Sequence, residues 1–318
     1  MNRKVSIVFR ALNEEKWFAD ALEACQQQDL SALGMEAEIV LVDSGSTDRT
    51  LEIAEAFGCR IVHIKKHEFT FGRSLNWGCE AAVGDYLVFI SAHCIPAHEN
   101  WLANLIEPLV RDEADYTYGK QIGHEISRFS EKQIFAKYFP DHDKRPQDGF
   151  FVNNANSAIR TDVWRRYRFC EKATGLEDMV LGKALTADGG RIAYVADAPV
   201  VHIHEESFKQ TRRRYYREAL TLREIMPEVQ VTYRDFLRYT SAAVLHDWGE
   251  AVRERCFFSK AGEILWFRFN QFYGTWAGHN EHRTLSRAQK ESYYFPTTHK
   301  KEAREQQADA SMRTASSS

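Results

Sequence analysis

The run Tyr86-Leu87-Val88-Phe89-Ile90 is apolar at every position and stops abruptly at Ser91-Ala92-His93-Cys94-Ile95-Pro96. A strand with one face in water alternates apolar and polar residues. An unbroken run demands cover on both faces, the condition of a mostly parallel sheet with helices on either side. Gly84-Asp85 before the run and Pro96 after it set its limits. In such sheets ligands collect at the carboxyl ends of the strands, so Ser91 to His93 stand where chemistry is expected.

The rest of the chain repeats this grammar. Val5 to Phe9 predicts a first strand, followed by Arg10-Ala11-Leu12-Asn13-Glu14-Glu15 and a helix carrying Trp17, Phe18, Leu22 and Cys25. Ile39 to Val42 predicts a second strand, ending in the small, cap-rich turn Asp43-Ser44-Gly45-Ser46-Thr47-Asp48 before another helix. Strand 60–64 and helix 71–82 lead to the opening run; helix 102–109 and strand 116–119 follow it. The stretch 120–150 reads as irregular and polar. After Asn153-Asn154-Ala155-Asn156 comes a helix opened by Glu177-Asp178, then two short strands at 192–195 and 199–203, the second ending in His202-Ile203-His204. Strand–helix alternation of this kind implies an α/β fold with right-handed crossovers. From Ser207 the pattern turns helical and rich in Arg and aromatics. The organisation expected is a first domain over 1–206, a helical C-terminal region over 207–299 and a disordered tail over 300–318.

Composition excludes several classes. Residues 205–318 carry 19 Lys and Arg against 15 Asp and Glu, while the rest carries 23 against 30; the acidic front and the lack of a dense basic stripe argue against nucleic-acid binding. Six scattered cysteines form no CxxC pair, so neither a zinc knuckle nor a disulfide framework is indicated. No run reaches the roughly 18–20 apolar residues of a membrane span, and the start shows no signal-peptide core. A cytoplasmic protein is expected, at most touching the inner face of a membrane.

A strand ending in Asn-Glu-Glu, a second ending in Asp-x-Gly-Ser-Thr-Asp, the segment Gly72-Arg73-x-x-Asn76-x-Gly78, an apolar strand ending in a polar triplet, and a later Glu-Asp pair occur in this order. That order, over about residues 4–206, resembles the family 2 glycosyltransferases with the GT-A fold: a Rossmann-like, mostly parallel sheet flanked by helices. The resemblance implies a nucleoside-diphosphate sugar donor, UDP or dTDP, held by Asn13, Glu14, Asp43, Ser44, Arg73, Asn76 and Ser91, with Asp43 reading the base. It implies Asp178 as the base of an inverting transfer, with Glu177 beside it to orient the acceptor. Asn153, Asn154 and Asn156 stand where relatives wall the sugar and acceptor, and Arg213, within a partial Gln-x-x-Arg-Trp match, would meet the diphosphate.

One departure is clear. Relatives end the central strand in Asp-x-Asp, whose carboxylates hold a divalent metal; here Ser91-Ala92-His93 stands instead. His93, with His202 or His204 from the later strand, would either ligate Mn²⁺ or Mg²⁺ or contact the diphosphate without metal. Imidazole suits Mn²⁺ or a softer ion better than Mg²⁺. The expected acceptor is a glycan or a lipid-linked saccharide of surface polysaccharide assembly. The aromatic stretch from Phe257 to Trp276 is read as core or dimer packing, with a peripheral membrane contact as the other reading. Loss of Asp-x-Asp keeps a second class open, a non-catalytic nucleotide-sugar-binding or scaffold protein. A sugar nucleotidyltransferase would need a Gly-rich basic loop after the first strand, and Arg10 to Glu15 is not one.

Overall fold

A computed structural model describes residues 3–281. The tail expected over 300–318, and residues 282–299 of the region before it, lie outside the described residues. In chain order the elements begin β1 (Lys4–Ala11), α1 (Phe18–Gln26), β2 (Glu36–Asp43), α2 (Thr50–Ala56), β3 (Arg60–His63), α3 (Phe71–Ala81), β4 (Tyr86–Ser91), β5 (Cys94–Pro96) and α4 (Trp101–Val110). They continue with β6 (Tyr116–Gly123), α5 (Phe129–Tyr138), β7 (Asn156–Arg160), α6 (Thr161–Tyr167), α7 (Glu177–Ala187), β8 (Ile192–His202), α8 (Phe208–Ile225), α9 (Tyr233–Arg253) and α10 (Phe257–His279).

The strands form one sheet in the order β3-β2-β1-β4-β7-β6-β8-β5. The pairs β1–β2, β1–β4, β2–β3 and β6–β8 are parallel; β7 and β5 run against their neighbours. The apolar run in β4 is covered on both faces, as its sequence requires. Tyr86, Val88 and Ile90 join Ile7, Phe9, Phe18 and Trp101 in one core, and Leu87 and Phe89 join Val8, Leu75, Trp164 and Leu181 in the other. This split follows from the two-residue period of a strand. Gly78 lets α3 lie directly on the sheet, since a Cβ there would stand 2.5 Å from Val8 Cγ1.

Two sequence expectations need correction. The stretch 120–150 is not irregular throughout: β6 runs on to Gly123, and α5 follows. The buried residues of α5 include Ser130 and Glu131 beside Phe129 and Phe135, so its inward face lacks an apolar stripe. The two short strands near 192 and 199 are one strand, β8, which carries a register shift against Gly119 and Gln121 of β6.

Beyond the sheet, Ser207 caps α8 in a reciprocal box with Gln210. Gly274 and Gly278 let α10 pack on the α8 backbone; Cβ atoms there would lie 2.4 Å from Arg212 O and 2.2 Å from Tyr216 O. Among the described residues no helix is long and apolar enough to cross a membrane.

Candidate active site

Because β1, β2, β4, β6 and β8 point the same way, their ends bring Asn13, Asp43, Ser91, Gly123 and His202 to one edge of the sheet. The loops after β1 and β2 are laced together there. Asn13, in the left-handed region at φ 58°, donates its N–H to Ser46 Oγ at 3.0 Å and accepts from Thr47 N at 2.8 Å. Glu14 N donates to Thr50 Oγ1 at 2.8 Å, and Arg49 N to Glu15 Oε2 at 3.0 Å. Asp43 is 1% exposed; its carboxylate accepts from Gly45 N at 2.9 Å and Ser46 N at 3.1 Å, while Ser44 donates to Ala11 O. Here Asp43 and Ser44 shape the loop pair from within.

The expected nucleotide and sugar residues divide by what they touch. Asn76 is buried: it donates to Phe169 O at 3.0 Å and accepts from Phe169 N at 3.0 Å and Trp164 Nε1 at 3.2 Å, so it ties α3 to the 168–171 turn. Arg73 pairs with Glu171 at 2.7 Å and donates to Glu68 O. Asn156, fully buried, accepts from Trp101 Nε1 and donates to Lys120 O and Ala198 O. These contacts are struts of the fold. Asn154, by contrast, accepts from Tyr116 Oη at 2.5 Å and Ser157 Oγ at 2.7 Å while its buried Nδ2 has no partner, and Asn153 Oδ1 accepts from Ala155 N.

Asn154 leads to the Glu177-Asp178 pair. Leu176, left-handed at φ 53°, turns the chain into α7 so that both carboxylates lie in its first turn, where the helix dipole favours negative charge. Asp178 Oδ2 accepts from Asn154 N and Oδ1 from Met179 N, each at 2.8 Å. Burial, followed by the neighbouring Glu177 charge, pushes the Asp178 carboxyl up to about 7, against the pull of these N–H groups and Arg10. Glu177 is held by Arg10 at 2.9 Å, and Arg10 also donates to Phe71 O. Arg217 lies over the Phe71 ring, 4.7 Å from its centroid, with its Nε buried and without a partner.

Three imidazoles meet at the ends of β4 and β8. His93, His202 and His204 each present a ring nitrogen within 4.8 Å of the other two. Each Nδ1 faces an oxygen: His93 that of Glu14 at 3.3 Å, His202 that of Gln121 at 2.7 Å, His204 that of Glu131 at 2.6 Å. His202 Nε2 is buried and has no partner. Burial first, then His204 and His93, lowers His202 well below the ordinary imidazole range; burial and Arg214 lower His204 against the pull of Glu131. A buried, unpartnered ring nitrogen inside a cluster of three imidazoles fits a cation, so these residues suit the divalent metal that the resemblance implies.

Arg213 and Arg214 part company on α8. Arg214 reaches the histidine side through Glu131 at 2.9 Å, whereas Arg213 lines a pocket of about 450 Å³ with Lys209, Arg212, Tyr216 and Tyr273. Sequence reasoning missed Arg10, Tyr116, Gln121, Glu131 and Arg214. The only signal for Glu131 and Gln121 was their position in a stretch read as irregular.

Residues 6–168 match the family model described as Glycosyl transferase family 2. The chain is 24% identical over 230 residues to the O-antigen chain rhamnosyltransferase RfbN of Salmonella typhimurium, covering 67% of this chain and 70% of RfbN. Among solved structures it is similar to the mannosyltransferase PcManGT from Pyrobaculum calidifontis in complex with GDP-Man and Mn²⁺, with TM-score 0.57 and 15% identity over 86% of this chain and 85% of that one. It is also similar to glucosyl-3-phosphoglycerate synthase from Mycobacterium tuberculosis in complex with Mn²⁺, UDP and glucosyl-3-phosphoglycerate, with TM-score 0.51 and 22% identity over 70% and 80% of the two chains. The fold is GT-A, and with the family model spanning half of its length, the chain belongs to glycosyltransferase family 2.

Proposed function

We infer that the protein transfers a sugar, with inversion, from a nucleoside-diphosphate sugar to a hydroxyl of a glycan or lipid-linked acceptor in surface polysaccharide assembly. The observation that carries this reading is Asp178: a buried carboxyl at the carboxyl edge of the sheet, its Oδ2 accepting from Asn154 N at 2.8 Å and its pKa raised to about 7 by burial and Glu177. A base poised near neutral pH suits proton abstraction from a sugar hydroxyl. The acceptor O–H proton passes to an Asp178 oxygen, the acceptor oxygen bonds to the anomeric carbon, and the bond from that carbon to the diphosphate breaks on the opposite face. The electron pair leaves with the nucleoside diphosphate.

Asn153 and Asn154 then meet sugar hydroxyls, and Glu177, held by Arg10, orients the acceptor side. Asn13, Glu14, Asp43 and Ser44 serve the nucleoside through the loop pair they lace together, with Ser91 at its border. Arg73 and Asn76 support the floor from α3. His93, His202 and His204 would hold a divalent cation, which when bound offsets the diphosphate charge. Polysaccharide assembly and a deoxyhexosyl donor are favoured by the likeness to RfbN.

The test is a panel of UDP-glucose, GDP-mannose and dTDP-rhamnose, read as binding by calorimetry and as diphosphate release with saccharide acceptors. Asp178→Asn should bind the accepted donor within a few-fold of wild type and lose turnover by about 10²–10⁴-fold. Turnover near wild type removes Asp178 as base, and no binding of any donor favours the scaffold reading.

A further inference from the structure

We propose that His93, His202 and His204 form an all-nitrogen cation site that takes Zn²⁺, Co²⁺ and Mn²⁺ and discriminates against Mg²⁺, with Glu14, Gln121 and Glu131 as the residues that aim the three rings. This rests on the transferase reading for its place in the reaction, but the donor set stands on its own geometry.

The argument starts from which nitrogen carries the proton. A carboxylate only accepts, so the 2.6 Å contact of Glu131 with His204 Nδ1 places the proton on Nδ1. Arg214 Nη2 donates to the same Glu131 oxygen at 2.9 Å, so that oxygen accepts from both groups. Glu14 fixes His93 in the same sense, and Gln121 turns its carbonyl oxygen to His202 Nδ1. A ring whose Nδ1 faces a carboxylate or carbonyl oxygen leaves Nε2 as its remaining ligand atom. Nε2 of His202 is buried without any partner. Ring nitrogens within 4.8 Å of one another on three residues suit a shared cation better than a phosphate oxygen.

The second step is the identity of that cation. Mg²⁺ prefers oxygen ligands and gives up its waters reluctantly, whereas imidazole suits first-row transition ions, with affinity rising from Mn²⁺ through Co²⁺ and remaining high at Zn²⁺. At the end of β4, where relatives supply carboxylates, Ser91 is neutral and Ala92 has no donor atom. The acidic groups at this cluster, Glu14 and Glu131, contact the Nδ1 side of the rings. Carboxylates and amides behind metal-binding histidines fix ring orientation and raise basicity, and their loss costs about 10–100-fold in metal affinity.

The experiment is calorimetric titration of the full chain with Zn²⁺, Co²⁺, Mn²⁺ and Mg²⁺ separately, first alone and then with UDP. The visible absorption of bound Co²⁺ gives an independent signature. Binding is expected in the order Zn²⁺ above Co²⁺ above Mn²⁺, with Mg²⁺ at least about 100-fold weaker than Mn²⁺. Glu131→Gln should weaken Co²⁺ binding about 10–100-fold and alter its spectrum, with circular dichroism and the melting curve checking that the fold survives. His93→Gln, at the half-exposed ring, supplies a second variant if Glu131→Gln fails to fold, and should lose Co²⁺ binding by a similar factor. Mg²⁺ binding as tight as Mn²⁺, or no ion bound at millimolar concentration, overturns the proposal. Transfer that continues in EDTA by a protein that binds no ion overturns this site and leaves the transferase reading standing. Ordered ion binding with unimpaired turnover by Asp178→Asn does the reverse.

Discussion

If Asp178 is the base, the charge of Glu177 controls the pH at which the enzyme works, and Glu177→Gln exposes that control. In the wild type the Asp178 carboxyl lies at about 7 because it is buried and because Glu177 stands beside it. A base acts when ionised, so activity falls as pH falls through that value. With a pKa of about 7 the ionised fraction is about 0.9 at pH 8 and about 0.1 at pH 6, and kcat/KM should drop about tenfold between them. Gln keeps the shape of Glu177 and an oxygen for Arg10, which contacts it at 2.9 Å, but removes the repulsive charge and leaves the Arg10 cation uncompensated. Both changes favour ionised Asp178. A neighbouring unit charge at an effective dielectric of about 20 is worth about 1–3 kcal/mol, or about 0.7–2 units, so a downward shift of about one unit is expected. At pH 6 the ionised fraction then rises to about one half, and the variant loses only about twofold between pH 8 and pH 6. The assay is nucleoside diphosphate release across pH 5.5–8.5 at low donor concentration, using the donor that the panel selects. An acid limb that stays in place or moves upward in Glu177→Gln refutes the reasoning, as does a wild-type profile flat across this range.

Two further tests separate structural from site roles. Asn156→Ala strips partners from Trp101 Nε1, Lys120 O and Ala198 O, so urea unfolding should show a loss of about 1–3 kcal/mol, whereas Asn153→Ala should leave stability nearly unchanged and raise the acceptor KM; the opposite pattern would exchange their roles. Gly274→Ala places a Cβ 2.4 Å from Arg212 O and should cost about 1–3 kcal/mol by forcing α8 and α10 apart, while Gly249→Ala, with nothing within 4 Å, should gain about 0.5–1 kcal/mol; equal effects in thermal melts would contradict the packing.

The sequence by itself determined the covered sheet, the edge where the candidate site lies, and the pairing of Glu177-Asp178 with a helix start. These are local consequences: a run such as Tyr86 to Ile90 needs cover on both faces, and a parallel strand delivers its following residues to one edge. It also placed His93, His202 and His204 at strand ends, although the approach of all three was decided by the antiparallel pairing of β5 with β8, where Cys94 faces His202. Only the tertiary structure decided which amides brace the fold and which, like Asn154, keep an unpartnered donor. Asn76 finds its partners at Phe169, Trp164 and Glu171, and Asn156 finds Trp101 and Ala198; neither is distinguishable from Asn153 or Asn154 by type or spacing. The same holds for Arg213 and Arg214, which meet different surroundings on α8, and for Glu131, whose helix buries polar groups beside Phe129 and Phe135. The reason is physical: hydrophobic period is written in neighbouring residues, whereas the satisfaction of a buried polar group depends on partners that folding alone brings near.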